Sequence, residues 1–398
     1  MKKLILTVIT FCAFFAAADE PLPINQISSK SVFAVLDMAH QKTPTENILL
    51  SPFSLQECFG MISCGAGKQS SAELKSVLGL DSPYASYKTR KSLAESKNAS
   101  FSSSNTLLVD KRLNLYQDFV NNAVWYFGGK VYKADFNRKK ECADLLNSLV
   151  KEQSKGMFDN VVSEKDFESN PLTVLMNVLY FKSLWFNQFA AYETQKQIFN
   201  TSAEEKYQVD MMLNIQNVKY YNDETIHAVM LPYAEPRFQM IFLMTLDSAN
   251  SVSLVTQKLA AEGVDTIVRE AENYRTIVQI PKLDLAADND LVPLLRDAGM
   301  KSVFDPATGD LDKIVKGIPL FIDQARQLVK LKIDENGTEM SAVTVAIPKA
   351  ASIRETGELK SFHADHPYVI VLYDTETSAV LLSGIIVKPS AVSAAIQQ

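Results

Sequence analysis

Between Pro171 and Trp185 the chain reads PLTVLMNVLYFKSLW. An apolar stretch this continuous suits a strand with both faces covered, so a chain that carries it must build a sheet buried on two sides. Further strand patterns follow at NTLLVD (105–110), AVMLPY (228–233), FQMIFLMT (238–245) and TIVQIPKLDL (276–285). The last are QLVKLKID (327–334), HPYVIVLYD (366–374) and AVLLSGIIV (379–387). Helical spacing dominates the first half. Residues 28–42 carry an apolar stripe, Ser51-Pro52 opens a helix as cap and first turn, and Ser70 caps a second helix with Glu73 three residues on. LYQDFVNNAVWYF (115–127), 142–153 and NDLVPLLRDAGM (289–300) are also helical. The chain is therefore α+β, with large sheets.

Composition sets the scale. The 398 residues are 47% hydrophobic, with only 14 Gly and 15 Pro, which is enough to bury a large core. No linker, low-complexity tract or repeat divides the chain, so residues 19–398 are read as a single domain. The net charge of −6 gives no reason to expect nucleic acid. The basic run Lys88, Arg90, Lys91 reads as a solvated helix face rather than a polyanion site.

Lys2 and Lys3 precede an apolar run from Leu4 to Phe15 that meets Ala16-Ala17-Ala18 and then Asp19. That is the pattern of a secretory signal over residues 1–18, too short to span a bilayer, and predicts a secreted, extracellular protein with no membrane segment. Removing the signal takes Cys12 with it. Cys58, Cys64 and Cys142 remain and do not make a disulfide framework.

Enzyme chemistry finds no footing. GAGKQSS (65–71) lacks the leading Gly of a phosphate loop, since Ile62 stands there, and Gln69 replaces the metal-binding hydroxyl. No G-x-S-x-G elbow occurs. His40, His227, His363 and His366 form neither a triad nor a metal set by spacing, so no metal and no cofactor is expected.

One segment is out of place. ENGTEMSAVTVAIPKAAS (335–352) is composed like a buried strand, uncharged from Met340 to Pro348, yet it stands where an exposed loop is expected. Here the chain resembles the serpins, and the likeness runs from about residue 28 to 389. It rests on Asn47 followed by Ser51-Pro52-Phe53-Ser54, and on VLMNVLYFKSLW with Asn177, Tyr180, Phe181, Lys182 and Trp185 in place. VDMM, LPY, IPK, LLRDAGMKSVFD, IDENGTE and FHADHPY follow in the family's order.

The resemblance implies the serpin fold: three β-sheets, eight or nine helices and an exposed reactive-centre loop over about 335–361. It implies no enzyme but an inhibitor, a monomer, whose loop is cut by an elastase-like or trypsin-like serine protease and then inserts into the central sheet as a strand. A charge-free segment suits that fate, because burying an unpaired charge costs several kcal/mol. The implied hinge comprises Glu335, Gly337, Thr338, Glu339, Ala342 and Thr344. Beneath the opening sheet stand Ser51, Ser54 and Asn177, with Gln327 where relatives commonly carry His. Trp185 belongs to the same region, and Lys282 and Glu335 occupy positions that pair at the top of the sheet. Loop length counted from the hinge puts the cut at Ala351-Ser352; counted back from Phe362 it falls at Arg354-Glu355. The alternative function is a non-inhibitory serpin that binds or carries another molecule. Three sequons, at Asn98, Asn200 and Asn336, suit glycosylation of a secreted chain. The one at Asn336 lies inside the hinge, where a glycan is expected to impede insertion, and the residue is read as remaining unmodified.

Overall fold

The computed structural model describes residues 30–389 apart from 81–82, 203–204, 250 and 339–357. The predicted signal (1–18) lies outside the described residues, as do Glu339, Met340, Ala342, Thr344, Ala351, Ser352, Arg354 and Glu355.

The chain opens with α1 (Lys30–Lys42), β1 (Ile48–Leu50), α2 (Pro52–Ser63), α3 (Lys68–Leu78) and α4 (Pro83–Ala94). Then come β2 (Ala99–Asp110), α5 (Gln117–Phe127), β3 (Lys130–Ala134), α6 (Lys139–Gln153) and β4 (Thr173–Leu184). The middle is mostly strand: β5 (Gln195–Asn200), β6 (Lys206–Asn222), β7 (Ile226–Pro232) and β8 (Phe238–Thr245). α7 (Ser253–Glu262), α8 (Val264–Glu270), β9 (Glu272–Pro281), β10 (Leu283–Asp290) and α9 (Leu291–Asp297) follow. The chain ends with β11 (Gln324–Ile333), β12 (Gly337–Thr338), β13 (Lys360–His363), β14 (Tyr368–Asp374) and β15 (Ala379–Ile386). The described residues thus hold nine α-helices, in line with the expected eight or nine.

Strand pairing forms two continuous networks among the described residues. Six strands run in the order β10-β11-β12-β4-β2-β3, with β11 also pairing β4 directly. The other nine run β1-β15-β14-β8-β7-β6-β9-β13, with β5 on β6. The 17-residue β6 gives this second network its two arms: its first residues pair β5, its last pair β7, and β9 lies along its middle. Two networks and one branching strand thus make three sheet regions.

β4 carries out what its composition requires. Val174, Met176 and Val178 pack with α6 residues such as Leu146 and Val150 on one face. Leu175, Leu179 and Phe181 enter the main core on the other. Beneath that inner face lies α2, buried from Pro52 to Ile62, with the polar side chains of Ser54, Gln56 and Glu57 enclosed along with its apolar ones. Ser51 caps it: the Ser51 hydroxyl accepts from the Ser54 N–H, and Pro52 stands in the first turn.

Four local expectations change. Asn289 and Asp290, expected to open a helix over 289–300, end β10 instead, and α9 begins at Leu291 with Asp290 as its cap. α3 begins at Lys68 with Gly67 as its cap residue, not at Ser70. The Ser70 N–H donates to Asp310 Oδ2, and Glu73 reaches across the molecule to the N–H groups of Lys301 and Ser302, so no capping box forms. β2 starts at Ala99, six residues before NTLLVD, because its serine-rich first half has little intrinsic strand signal and is held by pairing with β4. The span 335–361, expected as loop, is strand at both of its described ends. Gly337 and Thr338 are buried strand residues, and at the far end Lys360 and Ser361 belong to β13.

Candidate functional site

The site is a slot between β4 and β11. These strands pair in parallel from Gln324 opposite Val174 to Val329 opposite Leu179. Above that point they part, and β12 lies between them, with Thr338 opposite Ile333 on one side and Ser183 on the other. β11 and β12 form a tight hairpin with Glu335 and Asn336 at its tip, closed by the Asp334 N–H on the Gly337 carbonyl at 3.0 Å. A Cβ on Gly337 would stand 2.2 Å from Ser183 O and 2.8 Å from Leu184 Cα, both backbone atoms, so only glycine fits this approach.

An aromatic pair holds the hairpin. Trp185 and Tyr233 stack at 4.5 Å, 12° from parallel. The Trp185 indole N–H donates to Asp334 O at 2.9 Å and its backbone N–H to Asn336 O at 2.8 Å. The Tyr233 hydroxyl lies 2.5 Å from that of Thr338. Burial drives the Tyr233 pKa up, which keeps the hydroxyl neutral. Glu335 turns aside to an ion pair with Lys282 (2.9 Å) and accepts from the Thr194 hydroxyl (2.8 Å). Burial alone would raise the Glu335 pKa, but the hydrogen bonds from Lys282 and Thr194 outweigh it and hold the carboxyl below its usual range.

Lower down, where the slot is closed, one rung of the sheet is built from amides. Asn289, Gln327, Asn177 and Asn105 lie opposite one another across β10, β11, β4 and β2. Gln327 Nε2 donates to Asn177 Oδ1 at 3.0 Å and to Ser51 O at 3.2 Å, while Gln327 Oε1 accepts the Ser51 N–H at 2.9 Å. Asn177 Nδ2 donates to Asn105 Oδ1 at 2.8 Å, and Asn289 Nδ2 to Leu49 O at 2.8 Å. The Ser51 hydroxyl donates to Leu381 O on β15. Asn105, Asn177, Gln327 and Ser51 are all buried.

The structure therefore joins Gln327 to Asn177 and to the Ser51 backbone, but not to Ser54. The buried Ser54 hydroxyl has no hydrogen-bond partner among the described residues, and only its backbone N–H joins the cluster. Asn105, Asn289, Thr194 and Tyr233 were not anticipated. An Asn inside NTLLVD was the one legible sign, because an amide among apolar strand residues needs a partner.

The other predicted positions lie apart. Asn98 and Asn336 are exposed, whereas Asn200 is half-buried and its Nδ2 already donates to Asp365 O at 3.1 Å. His227 meets the Tyr220 hydroxyl at 2.9 Å and is pushed down to about 4 by burial, and His366 meets Asp365 at 2.9 Å. No group of three or more His, Cys, Asp or Glu suited to a metal occurs among the described residues. Nor is any helix among them long and apolar enough to cross a membrane.

Arg90 corrects the solvated-face reading of the basic run. It donates to Trp125 O and Tyr126 O at the end of α5, and its Nε stands 3.5 Å from the fully buried Glu57. Burial raises the Glu57 pKa to about 8 against the pull of Arg90.

Residues 27–389 match the family model described as Serpin (serine protease inhibitor). Glia-derived nexin of Rattus norvegicus is 24% identical over 97% of this chain and 98% of its own length. Iripin-3 of Ixodes ricinus is 28% identical over 86% of this chain and 89% of its own. Among solved structures, native protease nexin-1 with heparin superposes at TM-score 0.82 with 23% identity, covering 92% of this chain and 99% of that one. Human thyroxine-binding globulin complexed with thyroxine superposes at 0.81 with 21% identity over 92% and 99%.

Proposed function

The chain belongs to the serpin family, and from that premise we propose that it is a secreted, monomeric suicide-substrate inhibitor of a serine protease, one domain after removal of residues 1–18. A protease that attacks the loop is held as its acyl-enzyme while the loop enters the slot between β4 and β11 and carries the protease with it.

The observation that supports this reading is the hairpin already seated at the top of the slot. Its register can be continued. Thr338 faces Ile333 and Ser183, so six residues further Thr344 would face Gln327 and Asn177, which now face each other. A hydroxyl would enter the amide rung at the point where the direct bond between those two side chains must break. One residue past Thr338, Glu339 would come between Lys332 and Lys182 on the outer face. Neither lysine makes an ion pair with a described residue. Thr338, Met340, Ala342, Thr344 and Ala346 would take the inner face, and none brings a charge there.

Incubation with an elastase-like and a trypsin-like protease, followed by denaturing electrophoresis, tests the proposal. A complex that survives SDS is expected with one of them. Cleavage without a complex favours the alternative, a serpin that binds or carries another molecule. Sequencing the released C-terminal peptide locates the cut: a new N-terminus at Ser352 supports Ala351-Ser352, and one at Glu355 supports Arg354-Glu355.

A further inference from the structure

The two residues at the hairpin tip send their side chains to different environments. Glu335 is drawn in to Lys282 and Thr194. Asn336 is exposed. Its backbone N–H donates to Asp334 Oδ1 at 2.9 Å and its carbonyl accepts from the Trp185 N–H at 2.8 Å, which fix the direction of the residue. Its side-chain amide makes no hydrogen bond with a described residue. Asn336-Gly337-Thr338 is a glycosylation sequon, with no proline at its middle position.

The sequence alone suggested that a sugar here would stand in the path of insertion. The register argues otherwise. Insertion would lengthen β12 beyond Thr338, away from the tip, while the turn from Asp334 to Gly337 keeps its place above the sheet. Asn336 lies on the far side of Gly337 from every residue that would enter the slot. We propose that Asn336 is an N-glycosylation site whose glycan stands off the top edge of the six-stranded sheet and is tolerated whether the slot is empty or filled. This rests on the reading of the chain as secreted, because the co-reactant is a lipid-diphosphate-linked oligosaccharide of the secretory membrane. The Asn336 amide nitrogen bonds to the anomeric carbon, the bond from that carbon to the diphosphate oxygen breaks, the lipid diphosphate leaves and the amide gives up one proton.

Two further observations bear on when and where this occurs. The Thr338 hydroxyl, which the sequon requires, is buried against Tyr233, so the transfer precedes docking of the hairpin. Among the three sequons, the Asn200 side-chain nitrogen is already engaged with Asp365 O, whereas Asn98 is exposed like Asn336. Asn98 therefore serves as the internal reference.

The test is glycopeptide mapping of the full chain expressed in a secreting animal cell line, beside an Asn336→Gln variant. Occupied Asn98 and Asn336 are expected. The glycosylated protein and Asn336→Gln should melt within about 2 °C of each other, as for a surface change. Cutting the loop should shift both melting temperatures by the same amount, whatever that amount is. A bare Asn336 beside an occupied Asn98 overturns the proposal and leaves secretion intact. A chain that is not exported and is bare at all three positions overturns it through the secretory reading on which it rests. An occupied Asn336 whose removal changes the shift on loop cleavage overturns the claim of tolerance.

Discussion

The upper and lower halves of the slot between β4 and β11 are held shut by different means. At the top, the strands are apart and a piece of a third strand fills the space: Gly337 by lacking a Cβ, Thr338 by its bond to Tyr233. Below, the strands touch, and the contact is reinforced by side chains, Gln327 to Asn177 and Asn177 to Asn105. Extending β12 downward lengthens an existing ladder at the top but must break one at the bottom. For the insertion proposed above, the nucleation cost of adding a strand would already be met at the top, and the resistance would sit at the rung below.

The largest test of that contrast is to fill the lower half. The proposed insertion would give up the ladder from Gln324 to Val329 and make two in its place. A net gain of roughly ten backbone hydrogen bonds at about 1 kcal/mol each rivals the whole ordinary stability of a domain. For a chain of 398 residues, that should raise the melting temperature by about 10 °C after loop cleavage. Thr344→Arg should abolish the rise, because the register would bury its charge beside Asn177. A cleaved wild-type protein that melts no higher than the intact one would refute the inserted-strand reading.

Next in size is removal of the wedge at the top. Gly337→Val sets a side chain against the backbone of Ser183 and Leu184. The hairpin should leave the slot at a cost of about 2–4 kcal/mol. Trp185 would then gain water, and since the chain has only two tryptophans, a Trp125→Phe background isolates its emission. An unshifted spectrum would show that β12 is not held as described.

A smaller effect is expected from the rung. Gln327→Leu leaves Asn177 Oδ1 and the Ser51 N–H buried without their partner, which should cost about 1–3 kcal/mol in chemical denaturation of the intact protein. It should also speed the change that follows loop cleavage, since one bond fewer must break. A slower change would mean that the rung guides the incoming strand more than it resists it.

The smallest effect belongs to the ion pair. The folded Glu335 pKa is depressed by Lys282 and Thr194 despite burial, so its contribution is present above the unfolded carboxyl pKa and fades as pH falls through the folded one. Lys282 is 39% exposed, which screens the pair, and Lys282→Met should cost about 1 kcal/mol at neutral pH. The two proteins should converge in stability as the solution is acidified below the folded Glu335 pKa. A difference independent of pH would assign the loss to packing of the lysine stem.

What could be read from the sequence divides along the same line. The strand Thr173–Leu184 was legible because period and composition alone make it central, and Ser51-Pro52 because a cap is a local device. The seated hairpin was not legible. Gly337 and Thr338 are small and polar, and only the proximity of Ser183 and Tyr233, more than a hundred residues away, turns them into strand. The resemblance groups Gln327 with Asn177 and Ser51, but that Gln327 meets Ser51 through the Ser51 backbone follows only from the fold. Asn105 and Asn289 join the rung through register, which depends on the pairing of whole strands rather than on any short motif.

Ser51 has a consequence in time as well as in space. Its hydroxyl is tied to β15, its N–H to β11, and its position to the first turn of α2. That N–H is buried and its acceptor is the side chain of Gln327, the residue that must let go of Asn177 if a strand is to pass. Exchange of the Ser51 amide with deuterium would then act as a clock on the opening of the sheet, running slowly while the rung is closed and briefly fast during each excursion.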